Sequence, residues 1–258
     1  WVRVIESSKN LGFAGGNNVA LRYLLARGWS EPIWLLNPDT VVEPGAAREL
    51  LAVLAADERV GMCGSTVRYH ERPDVIQALG GAVHTWWLAY PRHIGDGLPA
   101  DAIALRSKSD RSAERMTYVY AASMMISPAF LREVGLMDES YFLFFEELDL
   151  AMRGRRSGFR LAHAPGSVVY HRGSASVSRE GFRSVIADYH FLRNRLRVTW
   201  RYRPVALPGA FAAVLAALVK RAWRGDRERV RTIMKMMMRS WRESSGRGSA
   251  AERGARAA

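Results

Sequence analysis

The chain of 258 residues is long enough for one α/β domain with a sizeable core and an appendage. Its 48% hydrophobic and 24% charged content excludes wholesale disorder. The single cysteine, Cys63, excludes an internal disulfide framework and a cysteine-based zinc site, and points to a reducing, cytoplasmic compartment.

The net charge of +13 is local. Residues 1–192 hold 21 Lys and Arg against 21 Asp and Glu, whereas residues 193–258 hold 17 against 4. A basic tail of this kind suits a polyanion, either nucleic acid or an anionic membrane surface.

VRVI (2–5) reads as a short buried strand. NLGFAGGNN (10–18) reads as a Gly/Asn loop before a helix from about Asn17 to Ala26, stopped by Gly28. The loop has neither G-x-G-x-x-G nor Walker A spacing. Its glycines permit positive φ and close approach of another group, and Asn17 and Asn18 suit the start of a helix, where anions are also favoured. IWLLN (33–37) is a second strand, and Pro44 opens a helix through GAARELLAVLAAD. With VGMCGS (60–65) as another strand, the alternation predicts a mostly parallel α/β sheet flanked by helices.

Residues 68–115 read as an irregular insertion with short strands. TYVYAASMMIS (117–127) is strand-like, Ser127-Pro128 caps a short helix ended by Gly135, and a helix spans 144–158. FRLAHAP and SVVYH follow as two short strands, and the tail from about Glu180 is mostly helical. Residues 204–219 carry no charge but are too short and too broken by Pro204, Pro208 and Gly209 for a membrane span. In residues 226–242, Val230, Ile233, Met234, Met237 and Trp241 share a helical stripe flanked by Arg and Lys. Such a helix either lies in a membrane interface or packs on the domain with a solvated basic face.

Beyond the opening loop, three groups carry chemistry. Asp39, with Asn37 beside it, stands just past a strand end, where open α/β sheets bind ligands and where a carboxylate holds a divalent cation; a plain turn explains it equally well. Glu146, Glu147 and Asp149 follow the aromatics Tyr141, Phe142, Phe144 and Phe145, a setting that raises a carboxyl pKa toward that of a useful base. His171 at a strand end suits a metal or phosphate site or a structural hydrogen bond.

In that order, NLGFAGGNN, LLNPDT, AASMMIS, VGLMDESYFLFFEELDLAMRGRRSGFRL and VVYHRGSAS resemble the bacterial family-2 glycosyltransferases, and among them the rhamnosyltransferase-type enzymes of cell-wall and surface polysaccharides. The resemblance implies a GT-A-like domain over residues 1–192 and a basic helical tail over 193–258. It implies inverting transfer from a nucleotide-sugar to a glycan or lipid-linked acceptor, with Mg²⁺ or Mn²⁺. Asp39 and His171 would hold the metal; Gly12, Asn18, Asn37, Asp39 and His171 would contact the donor. Glu147 would be the base, with Glu146 as rival and Asp149 as the third acid of the motif. The family shows Asp where Glu147 stands, and Arg193-Asn194 matches a recurrent family pair. A strand, a helix and an Asp-Asn-x-Ser-type segment precede VRVIE in the family, so the chain reads as N-terminally truncated. The expected location is the inner face of the cell membrane, with the basic tail on anionic lipid. The rival readings are a non-catalytic remnant and a basic nucleic-acid-binding protein, although no nucleic-acid motif is present and no specific nucleic-acid partner is expected.

Overall fold

The structure, a computed structural model, describes residues 2–101, 112–172 and 185–240. Helix α1 (Gly12–Leu25) leads to strands β1 (Ile33–Leu36) and β2 (Thr40–Val42), helix α2 (Ala46–Ala56) and strand β3 (Val60–Tyr69). Strands β4 (Arg72–Leu79), β5 (Gly81–Thr85) and β6 (Tyr90–His93) follow, then the short helix α3 (Ser112–Arg115). Strands β7 (Tyr118–Val119) and β8 (Ser123–Ile126) precede helices α4 (Pro128–Val134) and α5 (Glu146–Arg156) and strand β9 (Arg160–His171). Helices α6 (Val185–Tyr202), α7 (Leu207–Trp223) and α8 (227–240) come last among the described residues.

The main sheet runs β1-β8-β3-β9-β2, with β4 also paired to β3. The α/β class with flanking helices is as expected, but the sheet is mixed. Among the described residues only β3 and β9 pair in parallel; β1–β8, β8–β3, β3–β4 and β9–β2 are antiparallel. The expectation of parallel strands assumed a helical crossover between neighbours. Here β8 enters between β1 and β3 against their direction, after a segment of strands.

That segment is also more regular than expected. Strands β5, β6 and β7 form a second sheet, in the order β6-β5-β7. FRLAHAP and SVVYH join into one 12-residue strand, β9, whose register against β3 shifts between Ser65 and Thr66. VRVI is not a strand: Val2 and Val4 are exposed, and no described strand lies beside them to share their backbone groups. The helix stop at α4 behaves as read, with Ser127 Oγ accepting from Phe130 N at 3.2 Å and Gly135 closing at φ +82°.

The core gathers Leu21 of α1, Met62 of β3, Met124 of β8, Phe130 of α4 and Leu148 of α5. A second cluster under α2 contains Leu50, Leu54 and Cys63, and burial pushes the Cys63 thiol up to about 12. The expected division after residue 192 falls inside α6, which continues through it and buries Asn194, Arg195, Val198 and Tyr202 in the domain. In α8, Ile233 is fully buried and Met237 packs on the core, whereas Met234 of the same stripe is 48% exposed; Trp241 and Arg242 lie outside the described residues.

Candidate functional site

A cleft of about 490 Å³ opens where α1 meets the carboxyl end of β1. Gly12, Phe13, Gly16 and Asn17 line one side, and Leu36, Asn37, Pro38 and Asp39 the other. Much of the stretch read as a loop is therefore the first turns of α1. Gly12 has φ +69°, and a Cβ there would lie 2.1 Å from the Phe142 carbonyl oxygen. That oxygen accepts from Phe13 N–H at 2.7 Å, so glycine lets the helix seat on the aromatic loop. At Gly16 a Cβ would meet nothing within 4 Å, which leaves the helix surface bare toward the cleft.

The two asparagines exchange their expected places. Asn18 is fully buried; its amide donates to Met137 O and Glu139 Oε1, each at 2.9 Å, and its Oδ1 accepts from Met137 N at 3.1 Å. It fixes α1 to the 137–139 segment and does not face the cleft. Asn17 lines the cleft instead, and its amide donates to Phe13 O within α1 rather than capping the helix.

Opposite α1, Asp39 Oδ1 lies 3.2 Å from Nε2 of His171, the last residue of β9. Pairing of β2 with β9 sets Thr40 across from His171 and brings the two residues together. His171 Nδ1 lies 2.9 Å from Gln77 Oε1. Burial lowers the His171 pKa despite Asp39, which favours a neutral ring. Its Nε2 is within hydrogen-bond reach of the Asp39 carboxylate, and Asn37 Nδ2 lies 3.5 Å away. Brought together in this way, a carboxylate and an imidazole suit a divalent cation, with Gln77 holding the ring from behind. Among the described residues no third acid, His or Cys joins them, so a bound ion would take its other ligands from water or substrate.

The acids of α5 follow a strained loop. Phe142, Phe144 and Phe145 have φ of +60°, +67° and +73°, a region that bulky residues rarely occupy. Asn194 of α6 holds this loop: its amide donates to the carbonyls of Tyr141, Leu143 and Phe144 at 2.8, 2.9 and 3.1 Å. Arg193 adds a hydrogen bond to Ser140 O at 3.2 Å. The pair singled out in the tail thus supports the acids from behind.

At the start of α5, Glu146 and Glu147 each have a buried Oε2 with no hydrogen-bond partner. Glu146 is sealed in the protein, whereas Glu147 keeps partial exposure. Burial raises both carboxyls above the usual carboxylate range, Glu147 to about 7, and the neighbouring Glu147 charge raises Glu146 further. Asp149 differs. It is fully buried and accepts from Arg153 Nε at 2.9 Å and Tyr202 OH at 2.8 Å, with Arg201 3.1 Å away. With its oxygens so occupied it is a structural anchor, which corrects its placement among the catalytic acids.

Tyr120 packs at the cleft edge beside His171. Its hydroxyl lies 3.4 Å from His171 Nδ1, and its phenol is raised first by burial, then by the charges of Glu147 and Asp39. Sequence reasoning missed Tyr120 and Gln77, because neither stands in a motif and only the β4 and β7–β8 placements bring them to His171.

The family described as "Glycosyltransferase like family 2" has a sequence model that matches residues 1–225. The chain is 27% identical over 197 residues to the low-salt glycan biosynthesis hexosyltransferase of Haloferax volcanii, covering 75% of this chain and 59% of that protein. It is 24% identical over 251 residues to the N-acetylglucosaminyl-diphospho-decaprenol L-rhamnosyltransferase of Mycobacterium tuberculosis, covering 88% and 79%. The chain thus spans about three-fifths of the first relative's length. Among solved structures it is similar to GalNAc-T7 with UDP, GalNAc and Mn²⁺, at a TM-score of 0.48 and 19% identity, covering 76% of this chain and 36% of that one. It is also similar to the Pyrobaculum calidifontis mannosyltransferase PcManGT with GDP-Man and Mn²⁺, at 0.49 and 13%, covering 91% and 68%. The chain belongs to glycosyltransferase family 2, as its ordered motifs implied.

Proposed function

We propose that the chain transfers a sugar, with rhamnose the first candidate, from a nucleotide-sugar to a lipid-linked or polysaccharide acceptor, inverting the anomeric centre. The observation that carries this reading is the pair of acids, Glu146 and Glu147, each with a buried, unpartnered oxygen at the start of α5, in a chain that also brings Asp39 and His171 together at the cleft edge. Glu147, the more exposed, takes the proton of the acceptor hydroxyl. The acceptor oxygen then bonds to the anomeric carbon as the bond from that carbon to the diphosphate oxygen breaks, and the nucleoside diphosphate leaves with the electron pair. Asp39 and His171 are the residues that would hold Mn²⁺ or Mg²⁺; a nitrogen in the set favours Mn²⁺ over Mg²⁺, which prefers oxygen alone. When bound, the ion supplies charge stabilisation to the departing diphosphate. Asn17, Asn37 and the bare surface at Gly16 form the donor side of the cleft.

The rhamnosyltransferase relative's name, with its diphospho-decaprenol acceptor, supports a lipid-linked acceptor and work at the inner face of the cell membrane. A panel of nucleotide-sugars incubated with the protein, a lipid-linked acceptor and Mn²⁺ or Mg²⁺ tests the reading by nucleotide release and product configuration. Release that survives both Asp39→Asn and Glu147→Gln unchanged would overturn these roles.

A further inference from the structure

Helix α7 has an apolar face that the described domain does not cover. Its inner side packs through Ala210 and Val214, both buried. Its last turn is tied down by Arg221, which donates twice to buried Asp188 of α6, at 3.0 and 2.8 Å. Arg229 of α8 reaches the same carboxylate at 2.8 Å. On the outer side Phe211, Leu215 and Val219 stand 56%, 62% and 44% exposed at four-residue spacing, so they form one row. Trp223 closes that helix at 89% exposure.

The charge around this row says what covers it. From Lys220 to Arg239 the chain carries eight Lys and Arg against two acids, Asp226 and Glu228. Arg221 and Arg229 are bound to Asp188, but Lys220, Arg224, Arg227, Arg231 and Lys235 are exposed. An apolar row ending in tryptophan and bordered by cations fits the boundary between anionic headgroups and acyl chains. Each such cation near an anionic surface adds about 1 kcal/mol of attraction. Pro204–Trp223 is also apolar enough by composition to cross a membrane, with a mean hydropathy of 1.6. Crossing would pull Arg221 from Asp188 and leave a buried carboxylate short of a partner, whereas lying flat keeps the pair intact.

We propose that the outer face of α7 docks on an anionic lipid bilayer, with Phe211, Leu215, Val219 and Trp223 at the acyl boundary and the neighbouring cations on the headgroups. The membrane contact is thereby placed on α7 rather than on the stripe of α8, of which Ile233 and Met237 pack inward and Met234 stays exposed. The proposal rests on the sugar-transfer reading for its purpose alone. Its test uses neither donor nor acceptor, so the two readings fail separately.

The full chain is floated with phosphatidylcholine vesicles with and without phosphatidylglycerol, beside the double variant Phe211→Glu and Leu215→Glu. Both positions are exposed, so the variant is expected to keep the native circular dichroism and melting temperature. The expected result is flotation with the anionic vesicles alone, reduced about tenfold or more in the variant. Substituting Trp223→Phe should also remove a blue-shifted, bromolipid-quenched part of the emission. No flotation of the native chain, or equal flotation of the variant, would overturn the proposal. So would a concentration-dependent dimer that the same double variant dissociates, since a second copy would then cover the face.

Discussion

Glu147 and Asp149 stand two residues apart on α5, both among aromatic rings, yet one keeps a buried oxygen with no partner and the other is saturated with partners. Asp149 is locked by Arg153, Arg201 and Tyr202, whereas Glu147 keeps an oxygen that meets neither donor nor cation. A buried oxygen without a partner destabilises the fold when the acid is charged, which is the ground for proposing Glu147 as the reactive acid and Asp149 as a structural one. Substituting each in turn therefore separates chemistry from stability.

The largest effect is expected at Glu147. Glu147→Gln should lower the transfer rate by about 10²–10⁴-fold, the usual range for a general base, while the melting temperature holds or rises because a neutral amide replaces a desolvated acid. Nucleotide release and thermal unfolding measure the two. A larger loss in Glu146→Gln, with Glu147→Gln active, would exchange the two roles.

Asp149→Asn should do the reverse. It removes charge from a buried network while leaving Arg153 and Arg201 in place, at a stability loss of about 3 kcal/mol in urea unfolding. Activity per folded molecule should stay near the native value. A strong rate loss at unchanged stability would return Asp149 to the catalytic set.

Asn194 sharpens the comparison from behind the loop. Asn194→Leu keeps the volume but removes the donor shared by three carbonyls of the left-handed turn. We expect kcat to fall about 10²-fold from misplaced acids, with donor KM unchanged. Asn194→Gln should restore part of the rate, since it keeps the amide on a longer arm.

Much of this architecture was legible in the residues. Ser127-Pro128 and Gly135 stated the limits of α4 because capping is local chemistry, and IWLLN stated β1 because a short buried run has few alternatives. Strand direction was not legible. Nothing in SMMI says that it enters between β1 and β3 backwards, since that depends on where the second sheet leaves the chain. Asp39, Glu147 and His171 were readable as reactive types at element ends, but Asp149 carries the same motif signal, and its arginine partners lie on its own helix and on α6. The roles of Gln77 and Tyr120 depend on contacts 94 and 51 residues away in sequence, which no spacing rule reaches.

The raised carboxyls give the comparison a pH signature. In the fold Glu146 and Glu147 hold their protons above the range where an unfolded carboxyl releases them, so the native state binds more protons there. By linkage, stability is greatest below the ordinary carboxylate pKa and falls as pH rises toward about 7, through the folded pKa of Glu147. Activity should climb over the same window as the base ionises. Denaturant midpoints and rate profiles taken from pH 4.5 upward should thus run in opposite directions; Glu147→Gln should flatten the rate profile and lessen the slope of the midpoints, with buried Glu146 keeping the rest.

The same contrast recurs, at its smallest, between Asn17 and Asn18 on α1. Asn18→Ala leaves the buried Met137 amide and carbonyl without their partner, so stability should fall by about 2 kcal/mol with donor KM little changed. Asn17→Ala removes one bond within its own helix and replaces asparagine by a better helix former, so stability should barely move. Its side chain lines the cleft, and losing one hydrogen bond to a donor there should raise donor KM by about three- to tenfold. Titration calorimetry with nucleoside diphosphates, set beside urea unfolding, separates the two residues. An affinity loss in the Asn18 variant at unchanged stability would mean that α1 presents the opposite face to the donor, and the cleft beside Asp39 would lose its assignment.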